Sequence, residues 1–408
     1  MSVKVVSIGG GDPLRVPTLL RELETRYLVW DAFVAGQRRV DLHPIVLPRA
    51  LHERAVSVAE HVMRDVSMAA SRAHADPNER ALYRLPKSAE RLAEASAFAR
   101  DDASLVRVDL LFGEDGDFHV CEINADCPGG HNEALGLPKL ARAAGFAHGH
   151  DPTRVVPALA RRLADLARLQ GDRAAVGMIY ATAYAEDLQV CAIIRRELQR
   201  LGVPAILAPP TAPVMDATGA LGIRGVQIGA LYRYFPAEYM EGQSNVGAIA
   251  QAIAAGRVRT LSSFAHVYTQ SKLALARFHH FGGSIANVPE TRDLLEISED
   301  ELRHGRADWV VKRAYSRVGE DVVVGALHAQ EDWDLALSAI LAERRAGESW
   351  IAQRFVRQQA MPTPWGPRYL TLGVYLLDGK FVGYFARVTP ASHVGHDALV
   401  LPTFVEAA

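Results

Sequence analysis

The feature that most constrains this chain is a pair of apolar segments with regularly spaced polar side chains. Residues 105–112 and 118–123 are each predicted to form a strand, and residues 113–116 have the glycine and aspartate content of a hairpin connection. The flanking residues are too apolar for an edge strand, so we expect a buried hairpin. Helices predicted over 47–75 and 86–100 precede the hairpin and are expected to pack around it.

Four polar side chains in this hairpin are spaced so that they can converge. Arg107 and Asp109 are two residues apart and share one face of their strand, while Glu122 and Asn124 share a face at the end of theirs. Any one of them could lie on a solvated face, but four together in so apolar a setting need partners or a metal. Carboxylate and amide oxygens are ligands that Mg²⁺ prefers, together with substrate phosphates.

The bulk properties describe an ordinary globular protein. The chain has 408 residues, 49% hydrophobic and 23% charged, which is enough for two or three domains. A net charge of -2 gives no general electrostatic case for nucleic acid or a membrane surface. We see no apolar run of membrane-spanning length and no signal-peptide layout, and three cysteines make a poor disulfide framework. We therefore expect a cytoplasmic protein.

Two features beside the hairpin have structural interpretations. Cys121 alternates onto the face opposite Glu122, and neither it nor Cys127 has the spacing of a zinc site, so both are interpreted as structural. Beyond Cys127, His131 or Asn132 is expected to cap the helix that follows. The intervening loop hangs off the expected metal strand, so a substrate contact and an ordinary strand-to-helix turn are both consistent with it.

The middle of the chain predicts a Rossmann-like unit over residues 174–260. A strand over 175–180, a helix over 186–201 and a strand over 204–208 form a βαβ pattern with a parallel pair, and a further strand follows over 225–234. The unit carries no phosphate-binding fingerprint. We expect it to separate an N-terminal part, 1–173, from a C-terminal part, 261–408.

The C-terminal part predicts a nucleotide cleft. Lys272 is placed in a helix over 270–278, and Lys312 ends a strand that begins at 308. The polar loop after Lys312 contains Gly319, and the strand over 350–356 carries Gln353. Two lysines can neutralise phosphates, and a loop can donate backbone N–H groups to the terminal one, although each lysine alone could be a surface residue. The strand near Gln353 can meet an adenine edge.

The chain is predicted to end in another hairpin. Its strands cover 369–377 and 380–388 and are joined across Asp378 and Gly379. This hairpin delivers Arg387 near its end.

Together these motifs resemble the glutathionylspermidine synthetase group, which are circularly permuted ATP-grasp ligases with the metal-binding strands ahead of the lysine-bearing part. The resemblance covers most of the chain and is carried by residues 27–31, 107–109, 122–128, 231–240, 271–275, 309–312 and Gln353. It implies an α/β (α+β) ATP-grasp-type fold with a Rossmann-like pre-ATP-grasp subdomain. It also implies an ATP-dependent carboxylate–amine ligase that works through an acyl phosphate with Mg²⁺.

The resemblance implies a role for each candidate site residue. The expected magnesium ligands are Asp109, Glu122 and Asn124, and the expected ATP contacts are Lys272, Lys312, Gly319 and Gln353. Arg107 is implied at the reacting centre, with Arg387 assisting from the far side. Lys312 is followed here by Arg313-Ala314 instead of the family's proline and glycine-rich loop, and residues 389–393 also depart from the family pattern.

Other interpretations of the same residues stay open. The main alternative is a non-catalytic ATP-grasp-like partner in a biosynthetic complex, motivated by the altered loop after Lys312. A metal-dependent phosphatase or nuclease would also use carboxylates but does not need the downstream lysines. The expected partners are a small-molecule carboxylate and an amine, with residues 129–131 and Arg233 as candidate contacts. The sequence identifies neither substrate and gives no oligomeric state.

Overall fold

The bounds of the elements come from a computed structural model, which describes residues 3–8, 12–97, 103–171, 174–316, 321–393, 395 and 397–407. The helices are α1 (Pro17–Arg26), α2 (Arg49–Ala75), α3 (Pro77–Tyr83), α4 (Lys87–Ala97), α5 (His131–Ala143), α6 (Val155–Arg168), α7 (Ala185–Arg200), α8 (Val246–Ala254), α9 (Val267–Gln270), α10 (Leu273–His280), α11 (Glu299–His304) and α12 (Gln330–Ala346). The strands are β1 (Lys4–Val5), β2 (Phe33–Val34), β3 (Gln37–Arg38), β4 (Ile45–Leu47), β5 (Leu105–Phe112), β6 (Phe118–Asn124), β7 (Ala175–Tyr180), β8 (Ala205–Ala208), β9 (Val214–Met215), β10 (Leu221–Ile223), β11 (Val226–Tyr234), β12 (Arg259–Leu261), β13 (Thr291–Asp293), β14 (Trp309–Arg313), β15 (Val322–Val324), β16 (Trp350–Arg354), β17 (Ala360–Met361), β18 (Arg368–Leu377), β19 (Lys380–Thr389), β20 (Leu399–Leu401) and β21 (Thr403–Val405).

The central sheet joins two distant parts of the chain. Its strands follow the order β20-β19-β18-β5-β6, with β17 beside β18. Both predicted hairpins are confirmed: β5 pairs antiparallel with β6, and β18 pairs antiparallel with β19. The two hairpins meet where β18 pairs with β5. The sheet is therefore complete only when the C-terminal strands lie against the N-terminal hairpin.

The two faces of this sheet have different roles. Alternate residues of β5, among them Val106 and Val108, are buried in one core with Val58 and Val62 of α2. Burying aliphatic side chains of this size stabilises the fold by roughly 1.5–3 kcal/mol each. The opposite face of β5 presents Arg107 and Asp109, because successive side chains of a strand point to opposite sides. Helix α2 thus packs on the apolar face of the sheet, opposite the face that carries Arg107 and Asp109.

A glycine makes room for the polar face. Gly373 of β18 lies opposite Asp109 in the register. A Cβ atom at this position would lie 2.7 Å from Cδ of Arg107 and 3.0 Å from Oδ1 of Asp109. The strand can therefore approach the two polar side chains only because residue 373 has none.

The middle of the chain forms the predicted parallel sheet. Strand β7 pairs in parallel with β8 and with β11, and β12 pairs in parallel with β11. Helix α7 connects β7 to β8, which confirms the predicted βαβ unit. Antiparallel strands β10 and β9 extend this sheet beyond β11.

A further antiparallel sheet carries Lys312 and Gln353. Its strands follow the order β13-β16-β14-β15, and the predicted positions of β14 and β16 are confirmed to within two residues. A separate core of Trp309, Trp333 and Trp350 packs α12 against this sheet.

The prediction of one continuous helix over 270–278 is wrong, because the helix is interrupted at Ser271. The chain is helical in α9 and α10, but Ser271 between them has extended backbone angles (φ -64°, ψ 128°). The amide N–H of Lys272 donates to the carbonyl of Ala314 at 3.0 Å instead of continuing a helix. Because this contact is a tertiary one, the helical pattern of the sequence did not reveal the break. Lys272 consequently lies at a helix junction.

Candidate nucleotide and metal site

Asp109 lies between two arginines. Its Oδ1 accepts from Nε of Arg107 at 2.7 Å and its Oδ2 accepts from Nη2 of the same guanidinium at 2.9 Å. Nη2 of Arg387 donates to the same Oδ2 at 2.7 Å. Burial disfavours the charged form of Arg107, but the charge and hydrogen bonds of Asp109 more than offset this and raise the pKa of Arg107. The predicted strand-end Arg387 and the hairpin pair are thus brought together.

Glu122 and Asn124 complete the polar face. The register pairs Asp109 with Glu122 and Arg107 with Asn124. Nδ2 of Asn124 lies 3.2 Å from Oδ2 of Asp109 and 3.3 Å from Oε1 of Glu122. The structure therefore places all four predicted hairpin residues in one cluster.

Lys272 links this cluster to the second half of the chain. Its Nζ lies 3.5 Å from Oε2 of Glu122 and donates to the carbonyl of Ser316 at 2.9 Å. Burial raises the pKa of Glu122, but the charges of Lys272 and Lys312 outweigh that effect, and the pKa falls to about 2. Burial and the charge of Lys312 lower the pKa of Lys272, against the effect of Glu122.

Lys312 and Gln353 form the next contact. Nζ of Lys312 donates to Oε1 of Gln353 at 2.7 Å and to the carbonyl of Cys121 at 3.1 Å. Nε2 of Gln353 in turn donates to Oγ1 of Thr291 at 3.2 Å. Both Lys312 and Gln353 are buried. Gly319, the remaining predicted ATP contact, lies outside the described residues.

The prediction that Cys121 lies on the strand face opposite Glu122 is wrong. The pairing of β5 with β6 shifts register between Asp109 and Leu110, so Asp109 pairs with Glu122 and Leu110 pairs with Val120. A bulge of this kind breaks the strict alternation of side chains along the strand. As a result, Sγ of Cys121 lies 3.7 Å from Nζ of Lys312, next to the predicted phosphate-binding lysine.

The cluster has an excess of positive charge. Four cationic side chains, those of Arg107, Arg387, Lys272 and Lys312, surround the two carboxylates of Asp109 and Glu122. Both lysines and Arg107 are buried, where an excess of charge is costly unless a counter-charge is present. The arrangement therefore suits an anionic ligand.

The donor set fits a divalent metal ion. Two carboxylates and one amide converge, and a half-turn of the Asn124 amide would place Oδ1 where Nδ2 now meets both carboxylates. Among the described residues no cluster of three or more His, Cys, Asp or Glu side chains could hold a metal, and this set is completed by an amide instead. Both oxygens of Asp109 are engaged by arginine, so Glu122 and Asn124 offer the freer oxygens.

The loop after β6 closes over Arg107. The carbonyl of Gly129 accepts from Nη1 of Arg107 at 2.9 Å and from the hydroxyl of Tyr375. His131 is buried between Tyr234 and Tyr375, with ring centroids 6.2 Å and 5.6 Å away. Burial and the charge of Arg107 lower the pKa of His131 to about 3, so this imidazole is neutral.

Neither His131 nor Asn132 caps the helix, contrary to the sequence-based expectation. Helix α5 begins at His131, and its N-cap is Gly130, which has φ 92° and provides no side chain. Nδ2 of Asn132 donates instead to the carbonyls of Tyr27, Leu28 and Gln189. The amide therefore links α5 to the segment that follows α1 and to α7.

Arg233 does not face the site, so its predicted substrate contact is wrong. Its guanidinium is fully buried in an ion pair with Asp126, and its Nη1 donates to the carbonyl of Phe235 at 2.8 Å. It also stacks over the ring of Phe264 at 4.3 Å. This pair anchors the end of β6 to β11.

Gln270 is a site-supporting residue that sequence reasoning missed. Its Oε1 accepts from the backbone N–H groups of Ala125 at 2.8 Å and Asp126 at 3.0 Å, directly after Asn124. The side chain is buried and lies two residues before Lys272. No local signal marks Gln270, because it stands beside other polar residues (Thr269, Ser271 and Lys272) and its hydrogen-bond partners are some 145 residues away.

Comparison with known proteins places the chain in a family. A family model described as glutathionylspermidine synthase pre-ATP-grasp matches residues 49–406. The chain belongs to this glutathionylspermidine synthase family. The resemblance drawn from the sequence is therefore confirmed, and membership of this family supports a ligase-type activity. No curated protein matches the chain.

Solved structures share the fold. A glutathione synthetase-like effector from Globodera pallida, solved without ligand, matches with a TM-score of 0.62 and 11% identity, over 98% of this chain and 99% of that one. D-alanyl-alanine synthetase A from Vibrio cholerae matches with a TM-score of 0.33 and 13% identity, over 54% of this chain and 68% of that one. The family match and the effector structure confirm the ATP-grasp-type fold of mixed helix and sheet. Within the described ranges, no helix of this synthase-family chain is long and apolar enough to cross a membrane.

Proposed function

We propose that this chain is an ATP-dependent carboxylate–amine ligase that forms an amide bond through an acyl phosphate. The observation that carries the proposal is the convergence of four separate segments on one buried, positively charged cluster. These segments are the β5–β6 hairpin, the α9–α10 junction, the β14–β16 pair and the end of β19. Magnesium-bound ATP is an anionic ligand that such a cluster would neutralise.

The first half-reaction is phosphoryl transfer, which depends on positioning and charge neutralisation. In this proposal Lys272 and Lys312 bind the phosphates, and Gly319 is a further proposed ATP contact. Gln353 accepts from Nζ of Lys312 at 2.7 Å, and we propose that its strand meets the adenine edge. The terminal phosphoryl group passes to an oxygen of the substrate carboxylate, and ADP leaves.

The second half-reaction is attack by an amine on the acyl carbon. The nitrogen forms the new C–N bond, loses a proton, and phosphate leaves with the electrons of the acyl C–O bond. The tetrahedral intermediate carries an oxyanion, which hydrogen-bond donors can stabilise. Arg107 and Arg387 suit this role because Asp109 holds both guanidinium groups side by side.

Asp109, Glu122 and Asn124 are the residues that would hold Mg²⁺, which supplies neutralisation of the phosphates when bound. The division of the chain into 1–173, 174–260 and 261–408 is also part of this proposal. Its middle segment is supported by the parallel sheet of β7, β8, β11 and β12.

The decisive experiment is an ADP-release screen with pools of acids and amines, in the presence of ATP and Mg²⁺. We expect release to require one acid and one amine together. Glu122→Gln keeps the size of the side chain but removes its charge, and we expect a loss of activity of at least about a hundredfold. Glu114→Gln is the matched control, because Glu114 is exposed on the turn of the same hairpin.

Two outcomes would count against the proposal. Tight binding of a non-hydrolysable ATP analogue with no ADP release from any acid–amine pair would favour the non-catalytic partner. Equal activity of wild type and Glu122→Gln would remove Glu122 from the metal set. Circular dichroism of both variants shows whether either change merely unfolds the protein.

A further inference from the structure

A cavity lies beside the central sheet, where β18 begins. Its volume is about 640 Å³, within the range of small-molecule sites. The residues that line it and bear on its chemistry are Arg38, His43, Trp365, Arg368, Pro390 and Leu399. They come from β3 and the segment after it, from the start of β18 and the segment before it, and from the chain that follows β19.

This cavity is on the other side of the sheet from the site described above. Arg368 lies on the same face of β18 as Leu370 and Leu372, which are buried in the core that contains α2. Gly373, of the opposite parity, faces Arg107 and Asp109. Because side chains two apart share a face, a ligand beside Arg368 would be separated from the nucleotide site by the sheet itself.

Arg368 is an unpaired positive charge at this cavity. Its Nε is buried and has no hydrogen-bond partner, and across the described ranges its guanidinium forms no ion pair. The neighbouring basic side chains already have acidic partners, because Arg38 pairs with Asp12 and Asp41, and Nδ1 of His43 lies 2.5 Å from Oδ1 of Asp41. A buried donor without a partner is costly, and a guanidinium matches the two oxygens of a carboxylate.

The rest of the lining is mixed: Asp12, Gln37 and Asp397 are polar, and Trp365, Pro390 and Leu399 form an apolar and aromatic part of the wall. Trp365 meets His43 edge-on, with ring centroids 5.5 Å apart, and Leu399 and Pro390 also line the cavity. Asp397, an exposed acid at the cavity, disfavours a ligand with a second negative charge. The ligand chemistry is therefore a single carboxylate joined to an apolar body.

We propose that this cavity is a second ligand site that binds a small organic monocarboxylate, with the carboxylate on Arg368 and the apolar body against Trp365. The proposal does not depend on the ligase activity. It predicts binding that persists when the nucleotide site is filled.

The test measures phenylacetate binding by ligand-observed NMR and calorimetry, with a magnesium-bound non-hydrolysable ATP analogue present throughout. Phenylacetamide, which has the same body without the charge, is the ligand control. We expect it to bind at least about tenfold more weakly than phenylacetate. Arg368→Leu should weaken phenylacetate by a similar factor, whereas Arg345→Leu, at a residue with 70% of its side chain exposed, should leave it unchanged.

The proposal is overturned if phenylacetate and phenylacetamide bind equally, or if Arg368→Leu binds phenylacetate as wild type does. Absence of saturable phenylacetate binding by wild type would also overturn it. The comparison of the two ligands needs no variant, so it holds even if Arg368→Leu fails to fold. ADP release is a separate measurement, so failure here leaves the ligase proposal standing.

Discussion

At the residue scale, the site depends on charges that neutralise one another before any ligand arrives. Asp109 holds two guanidinium groups, and Glu122 faces Lys272 at 3.5 Å. Removing one member of such a buried set leaves an uncompensated charge, which costs more than the net value of the pair. Variants of these residues must therefore be assessed for stability as well as for activity.

The lowered pKa of Glu122 makes the stability of the fold depend on pH. Its pKa in the folded protein is about 2, against an ordinary value of 4.5. A lowered carboxyl pKa stabilises the fold above the ordinary value, and this contribution is lost as the pH falls from about 4.5 towards 2. We expect Glu122→Gln to lose less stability than wild type between neutral pH and pH ~3. Urea unfolding of both proteins measures this, and parallel declines would contradict the assignment.

At the element scale, one hydrogen-bonding side chain joins β6, the strand proposed to bind the metal, to the α9–α10 junction that carries Lys272. Oε1 of Gln270, at the end of α9, accepts two backbone N–H groups from the segment after β6. The clamp fixes Asn124 relative to Lys272, although these residues are far apart in the sequence. Gln270 is thus a positioning residue in the proposed site.

We expect Gln270→Leu to raise the KM for ATP by up to about thirtyfold, because two hydrogen bonds of about 1 kcal/mol each are lost and each 1.4 kcal/mol is a factor of ten. Gln270→Glu retains an acceptor for both N–H groups and should recover most of the affinity. Steady-state kinetics with varied ATP and Mg²⁺, paired with thermal melts, separates positioning from general destabilisation. If both variants lose stability equally and keep the wild-type KM, Gln270 has only a structural role.

How far the sequence predicts these elements depends on the range of the interactions. Alternation along a strand is local, so it correctly placed Arg107 with Asp109 and Glu122 with Asn124 on one face. The bulge at Cys121 depends on how β6 pairs with β5, and alternation within one strand does not reveal it. The buried pairing of Arg233 and the contacts of Gln270 join segments more than a hundred residues apart, so no local pattern encodes them.

At the scale of the whole molecule, the proposed nucleotide would bridge two sheets. Glu122 belongs to the central sheet, whereas Lys312 and Gln353 belong to the sheet of β13, β16, β14 and β15. A ligand that binds only the folded state stabilises it by mass action, and the gain is about 2.7 kcal/mol at a hundred times Kd. Because the ligand would contact both sheets, the gain should extend to both.

We therefore expect a magnesium-bound ATP analogue to raise the Tm and to slow amide exchange in β6 and in β14 and β16 together. Lys312→Ala should abolish both effects. Arg345→Ala, at an exposed arginine of α12, is the control and should respond as wild type does. Protection confined to one sheet would show that the ligand does not bridge them.

The pairing of β18 with β5 also has a consequence for synthesis of the chain. Thr371 pairs with Leu111, so the partner of β5 is translated about 260 residues after it. At typical elongation rates this interval is roughly ten to fifty seconds. During that time β5 can pair with β6 on one edge, but its other edge, which β18 later covers, stays open on the nascent chain. Open strand edges promote aggregation. Yield during recombinant expression should therefore depend on chaperones that shield this strand on the ribosome until the C-terminal hairpin emerges.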